Sequence, residues 1–401
     1  MRPCKRNSPY SGSSHSVKNP QSAFRNPQSK VPGLYIHIPF CLKKCDYCSF
    51  YSISSLSLIP DYLEALFKEM EMARDSWDSF DTVYLGGGTP SVLTLQQIES
   101  IITRIQKQFV LLPDTELTLE TNPGDLNLPF LQGCRAMGIN RLTIGIQSFD
   151  PNTLGFLGRR HSLSQAHSAI ENSRRAGFQN VGLDLIYGIP GQDLETWLKT
   201  LNEALLFSPE HLSCYQLTLE DKTPLGRRYQ KGEFRLPDED GQYDFFMRTS
   251  EWLEEAGYLH YEVSNFARSS LFTSRHNQKY WNHTPYLGLG PSAHSFRNRE
   301  RWWNHSDLHQ YLTDIEEGRL PVEREEPLTI EQLQLEALFL GLRTRRGISL
   351  QDFTGTYQCD LLSEKKEIIE KLTEEGFLSV QEGHLIPTRS GLAIADSLAL
   401  I

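Results

Sequence analysis

The sequence has no apolar run approaching the roughly 18 residues of a membrane-spanning helix, and it lacks the surplus of lysine and arginine that binding to a phosphate backbone requires. Its 401 residues carry a formal net charge of -10, with acidic residues spread along the length and not gathered in a run. A nucleic-acid partner is therefore not expected. Cysteine is also scarce, at positions 4, 41, 45, 48, 134, 214 and 359, and only the middle three are clustered. That spacing excludes the framework of a small secreted disulfide scaffold and suits a reducing, cytoplasmic setting. Cys4, Cys134, Cys214 and Cys359 show no pairing pattern and read as bystanders.

Residues 1–30 contain no aspartate or glutamate, but many serines, several basic residues and prolines that interrupt any helix. This composition predicts a disordered polar tail. An organellar transit peptide and a misassigned start codon are the alternatives.

From Leu34 onward, short runs rich in β-branched and aromatic residues alternate with longer segments of helical apolar spacing. Strands are predicted over 34–38, 82–87, 116–120, 141–147, 181–188 and 212–219, and helices over 60–74, 94–109, 162–176, 193–207 and 239–256. Pro60 opens the first helix, and Leu63, Leu66, Phe67 and Met70 share one of its faces. Such alternation predicts an α/β chain with a parallel sheet and helices outside it, either doubly wound or a complete or partial barrel.

The rhythm breaks after residue 257. Residues 274–296, rich in histidine, aromatics and glycine, are predicted to form a structured loop region, and the chain turns helical from about residue 308. Its end predicts a helix, two short strands around "QEGH" and a further helix, an order that resembles a winged helix. The segment "EKLTEEG" is acidic where a DNA-reading helix would be basic, so packing against the main domain is the expected role.

Four features carry chemistry. Cys41, Cys45 and Cys48 form C-x3-C-x2-C directly after a strand, which suits a 4Fe-4S cluster held at three corners with the fourth iron open. A zinc site completed by His37 or Asp46 is the alternative. In "YLGGGTPS", Gly87, Gly88 and Thr89 follow the next strand, either to let a ligand approach the backbone or to make a tight turn. Glu120, Gln147, Arg159 and Asp184 belong to successive strand-helix units, and the C-terminal ends of parallel strands are where such units gather a site. Charges of both signs there suit a ligand with an ammonium, a carboxylate and a ribose. His276, with Tyr280 and Trp281 in "RHNQKYW", combines a histidine with large aromatics as an axial haem site would. On those residues alone an ordinary packed histidine is the simpler reading.

Taken together, "CLKKCDYC" after "YIHIPF", "GGGTP", "LETNPG", "IGIQSF", "LGRRHS", "DLIYGIPGQ", "RHNQKYW" and "GLGPSAHSF" resemble one branch of the radical S-adenosylmethionine (SAM) superfamily. That branch contains the oxygen-independent coproporphyrinogen III oxidases and the haem chaperones of the HemW type. The resemblance spans roughly residues 33–400 and implies a partial (β/α)6 TIM-type barrel with a mainly helical, winged-helix-like C-terminal domain. The implied division is a tail over 1–30, the barrel over 31–270 and the C-terminal domain over 271–401. It also implies a 4Fe-4S cluster on Cys41, Cys45 and Cys48, and SAM contacts from Tyr35, Tyr47, Gly87, Gly88, Thr89, Glu120, Gln147, Arg159 and Asp184. His276 becomes a haem-contacting residue on the same resemblance, which names no catalytic residue.

The oxidases resemble C-x3-C-x2-C-x-C, and their last cysteine corresponds here to Phe50. This difference, together with "RHNQKYW", implies a haem-binding chaperone that passes haem to an acceptor protein, membrane-associated or not. Radical decarboxylation of coproporphyrinogen III is the alternative. Action on another tetrapyrrole or on RNA is a weaker one.

Overall fold

The computed structural model describes residues 30–398. The expected tail, apart from Lys30, lies outside the described residues, as does Cys4. Six strand-helix units follow in chain order: β1 (Gly33–Ile38) with α1 (Ile59–Ala73), β2 (Phe80–Gly87) with α2 (Leu95–Gln108), and β3 (Leu111–Thr121) with α3 (Leu128–Ala136). β4 (Arg141–Gln147) leads to α4 (Pro151–Phe156) and α5 (Leu163–Arg175), and β5 (Val181–Tyr187) leads to α6 (Leu194–Leu206). β6 (His211–Gln216) leads to α7 (Pro224–Gln230) and α8 (Glu239–Glu255). β1 to β6 pair in parallel with their sequence neighbours, as the alternation predicts.

Side chains on a strand point alternately to its two faces, and here the two sets differ in chemistry. Leu34, Ile36 and Ile38 of β1, Val83 and Leu85 of β2, and Leu142, Ile144 and Ile146 of β4 join the apolar core beneath the helices. Their alternates include Tyr35, His37, Tyr84, Glu120, Arg141, Thr143 and Asp184. A parallel sheet buried equally on both faces would read as continuous apolar runs. The polar inner set marks that face as the wall of a site.

The segment beyond α8 corrects one expectation. Residues 274–296 are not a loop region. After β7 (Leu259–Glu262) and β8 (Asn265–Ala267) they form α9 (Arg275–Trp281), β9 (Tyr286–Leu289) and most of β10 (His294–Arg297). Then come β11 (Glu300–Asn304), α10 (Leu308–Glu316) and β12 (Val322–Pro327). β9 pairs in parallel with β1, so a 12-stranded open sheet runs β12-β11-β10-β9-β1-β2-β3-β4-β5-β6-β8-β7, continuous across residue 270.

One buried carboxylate fastens this extension to the first unit. Glu69 of α1 accepts hydrogen bonds from the Gly290 N–H (2.8 Å), the Tyr311 hydroxyl (2.7 Å) and Asn304 Nδ2 (2.6 Å).

The remaining elements are α11 (Ile330–Gly341), β13 (Ile348–Ser349), α12 (Leu350–Tyr357), α13 (Leu361–Glu364), α14 (Lys366–Glu374), β14 (Leu378–Gln381), β15 (His384–Pro387), α15 (Arg389–Ala393) and α16 (Ala395–Leu398). They enclose a second core, with Leu338, Leu342, Phe353 and Leu385 among its members, beside a three-stranded sheet ordered β13-β15-β14. Arg389 of α15 pairs with Glu251 (3.4 Å) and Glu254 of α8, so this unit packs on the main domain. Among the described residues no helix is long and apolar enough to cross a membrane.

Candidate functional site

A cavity of about 400 Å³ opens at the C-terminal ends of the parallel strands. Cys41, Cys45, Tyr47 and Cys48 line it from the loop after β1, and Gly87, Gly88 and Thr89 from the end of β2. Glu120, Gln147, Arg159 and Asp184 line it from β3, β4, the turn after α4, and β5. Six separate segments of chain thus converge on one cavity.

The cysteine loop is pinned at its base and along its length. The Cys41 N–H donates to the Ile53 carbonyl (2.9 Å), and the Gly88 and Thr89 N–H groups donate to the Ile38 and Phe40 carbonyls (2.8 Å each). A Cβ at Gly88 would lie 2.7 Å from the Phe40 oxygen, so glycine there lets the end of β2 press against the base of the loop. Gly87 has a φ of +106°, a conformation that side chains rarely adopt. The glycine run therefore serves as a tight turn in its own right while two of its members line the cavity. Further along, the Leu225 N–H donates to the Asp46 carbonyl (2.9 Å), and Tyr47 packs with Leu157, Ile186 and Leu217.

Around the thiols, Thr89 Oγ1 lies 3.2 Å from Cys41 Sγ, and Arg159 Nη1 donates to Cys45 Sγ (3.3 Å) while its Nη2 donates to the Gly145 carbonyl (2.6 Å). Among the described residues no three His, Cys, Asp or Glu side chains converge tightly enough to hold a single metal ion. His37 is not free to complete a zinc site: its Nε2 meets the Tyr51 carbonyl (3.0 Å) and its Nδ1 the Tyr35 hydroxyl (3.2 Å). Three cysteines on one loop at the edge of the cavity fit a 4Fe-4S cluster held at three corners.

In the same cavity, burial pushes the pKa of Glu120 up to about 7 and that of Asp184 up to about 6. Asp184 Oδ1 and Arg159 Nε are buried without a hydrogen-bond partner in the protein. Buried polar atoms rarely stay unpaired, so this capacity is available to a ligand bearing both donors and acceptors.

Two of the expected residues lie away from the cavity. Tyr35 sits one layer below, its ring near those of Tyr84 (6.1 Å) and His276 (6.3 Å). His276 is 1% exposed, with Nδ1 2.9 Å from Thr82 Oγ1 and Nε2 2.9 Å from the Tyr280 hydroxyl. With both ring nitrogens engaged by Thr82 and Tyr280, His276 is not placed to be an axial ligand. Sequence reasoning also missed Thr143, Arg160 and Tyr215, which line the cavity. Strand alternation carried a signal for the first and third, since Thr143 lies two residues before Gly145 on β4 and Tyr215 two after Ser213 on β6.

A sheet of six parallel units with a three-cysteine loop at its mouth defines a class. Residues 35–204 match the model of the Radical SAM superfamily, whose members use a 4Fe-4S cluster and SAM, and residues 328–394 match the HemN C-terminal domain. The chain is 34% identical to the haem chaperone HemW of Lactococcus lactis, over 92% of this chain and 96% of that one, and 35% identical to HemW of Synechocystis, over 85% and 84%. It belongs to the haem chaperone HemW family. Among solved structures, coproporphyrinogen III oxidase HemN of Escherichia coli superposes with a TM-score of 0.81 at 23% identity, over 95% of this chain and 92% of that one, a likeness of fold.

Proposed function

We propose that this protein is a haem chaperone that binds a 4Fe-4S cluster on Cys41, Cys45 and Cys48, SAM in the adjoining cavity, and haem in a second chamber, from which it delivers haem to an acceptor protein. When bound, the cluster supplies an open iron for the amino and carboxylate groups of SAM, and an electron. The chain's own part is to hold the thiols on a pinned loop and to present Glu120, Gln147, Arg159 and Asp184 toward the ligand.

The observation that carries the haem reading is a chamber of about 780 Å³ that shares Tyr215, Gln216 and Thr218 with the first cavity. Tyr187, Tyr243, Phe246 and Trp281 add aromatic faces, and Trp281 Nε1 is buried with no hydrogen-bond partner. Trp281 closes the "RHNQKYW" segment, so that motif reaches the chamber through its tryptophan. The charge of the lining separates haem from a porphyrinogen substrate. Arg343 is the one lysine or arginine among the described lining residues and pairs with Asp396, and the same lining holds Glu239, Asp240 and Glu262. A substrate with four propionates would meet mostly carboxylates there, whereas a flat macrocycle with two acidic groups can face the aromatics and keep its propionates in solvent. Phe50, which stands where the oxidases have a cysteine, is 67% exposed and lines the first cavity.

Titrating the reconstituted protein with haem tests this reading through the Soret band. A stable complex is expected, weakened about tenfold in Trp281→Ala by loss of an aromatic wall. Absence of any complex overturns the proposal. Formation of the vinyl product on anaerobic incubation with coproporphyrinogen III, SAM and reductant would instead establish the decarboxylase.

The raised carboxyl groups predict a pH dependence for SAM. Glu120 and Asp184 become anionic only as pH rises through about 7 and about 6, and an anion holds a cationic ligand better. Affinity for SAM should therefore strengthen from pH 5.5 to 8, as read by equilibrium dialysis; a flat profile would remove these carboxylates from the contact.

A further inference from the structure

The buried side of "RHNQKYW" lies directly beneath the cofactor wall. The N–H groups of Arg275 and His276 donate to the Glu116 carboxylate (3.2 and 3.1 Å), and Lys279 Nζ pairs with Asp81 (2.6 Å), its side chain 3% exposed. These contacts fix α9 under β2 and β3. The imidazole of His276 then stacks on Tyr84, with ring centroids 5.1 Å apart and planes at 29°. The Tyr84 hydroxyl donates to Glu120 Oε1 (2.6 Å), and the Gly87 N–H donates to Oε2 (3.2 Å). A Cβ at Gly86 would lie 2.9 Å from Cε1 of Tyr84 and 3.0 Å from Glu120 Oε2. Phenol and carboxylate thus share a slot that only glycine leaves open.

We infer that His276 is a positioning residue for SAM binding: it forms the floor on which Tyr84 rests, and Tyr84 in turn holds the Glu120 carboxylate at the cavity wall. The inference rests on reading the cavity as the SAM site. It gives the histidine a role that requires no contact with haem or with the cluster. Thr82, which bonds Nδ1, lies two residues before Tyr84 on the same face of β2, so a single strand fixes both the imidazole and the phenol stacked on it. Burial keeps the imidazole neutral, with a pKa pushed down to about 3, so the floor does not change charge over the working pH range.

The test is equilibrium binding of SAM to the cluster-loaded full chain. Tyr84→Phe keeps the ring and removes only the hydroxyl, and should raise the Kd about tenfold through loss of one hydrogen bond to a charged group. His276→Ala removes the floor and should raise it by a similar factor. The double variant should be little worse than either single one, because both changes break the same link. His276→Phe restores the stacked surface without the two ring hydrogen bonds and should return the Kd to within about twofold of the wild type, a rescue that a general loss of stability would not give. Haem titration should match the wild type in Tyr84→Phe and His276→Phe. Wild-type affinity in Tyr84→Phe, or strictly additive losses in the double variant, would overturn the positioning role. Failure of the wild-type protein to bind SAM would overturn the underlying reading of the cavity and this inference with it.

Discussion

Cys45→Ala is expected to leave the reconstituted protein without iron or acid-labile sulfide while its fold persists. The two expectations separate because the loop does not depend on that sulfur for its shape. Its base is held by backbone hydrogen bonds from Cys41, Ile53, Gly88 and Thr89, and its middle by the Asp46 carbonyl. Removing Cys45 Sγ costs Arg159 one of its two contacts and leaves the bond to the Gly145 carbonyl. A three-cornered cluster cannot spare a corner in the same way. Circular dichroism should therefore be unchanged while the charge-transfer absorbance of the cluster disappears. Cys134→Ala is the control, since that thiol is buried in the helical layer with its pKa pushed up to about 12, and the variant should keep its iron. Zinc in place of iron and sulfide in the wild-type protein, lost in Cys45→Ala, would establish the single-metal alternative.

The largest loss of stability is expected from Glu69→Ala. Glu69 is 1% exposed, and its two oxygens receive three donors from separate parts of the chain. Truncation leaves the Gly290 N–H, the Asn304 amide and the Tyr311 hydroxyl without their acceptor in a site closed to water. At about 1–3 kcal/mol for each orphaned group, with partial relaxation, the cost should reach about 3–5 kcal/mol. Chemical denaturation measures it, and a loss under about 1 kcal/mol would mean that the network reorganises freely.

The same residue predicts a pH signature. Burial raises its pKa from 4.5 to about 7 against the pull of the three donors. Between those values the folded state holds a proton that the unfolded state has released, so stability falls as pH rises through that window. Glu69→Gln removes this titration. The stability of the wild type relative to that variant should thus be greater at pH 4.5 than at pH 8, by about 3 kcal/mol. Taking this difference also cancels the opposite slope from buried histidines such as His161 and His260, whose depressed pKa values make stability fall as pH drops from 6.5 toward 3.

The legible part of the molecule was its local part. β1 to β6 announced themselves because apolar and polar residues alternate along each, and because the polar set is the inner wall of a site. The cysteine loop and the residues ending β2 to β5 followed from the rule that parallel strands gather function at one end. The segment 274–296 hides its structure for a physical reason. α9 is only seven residues long and its polar residues point inward, since Lys279 and His276 are buried against Asp81 and Thr82. No apolar stripe marks such a helix. Nor does any local pattern show that β9 would lie beside β1, because strand pairing across some 250 residues is decided by the whole sheet. Tyr35 lies one layer deeper than its strand position implies for a related cause: position along a strand gives the face, whereas depth comes from the register with Tyr84.

The pairing of β9 with β1 also sets an order of assembly. A chain emerging from the ribosome completes β2 to β6 before residue 286 exists, so β1 waits with one bare row of N–H and C=O groups, an edge open to pairing with other chains. The cysteine loop hangs from that same strand. The first of the described strands to be synthesised is therefore among the last to gain both neighbours, and the strand that carries the thiol loop is paired on both sides only once residue 289 has been made.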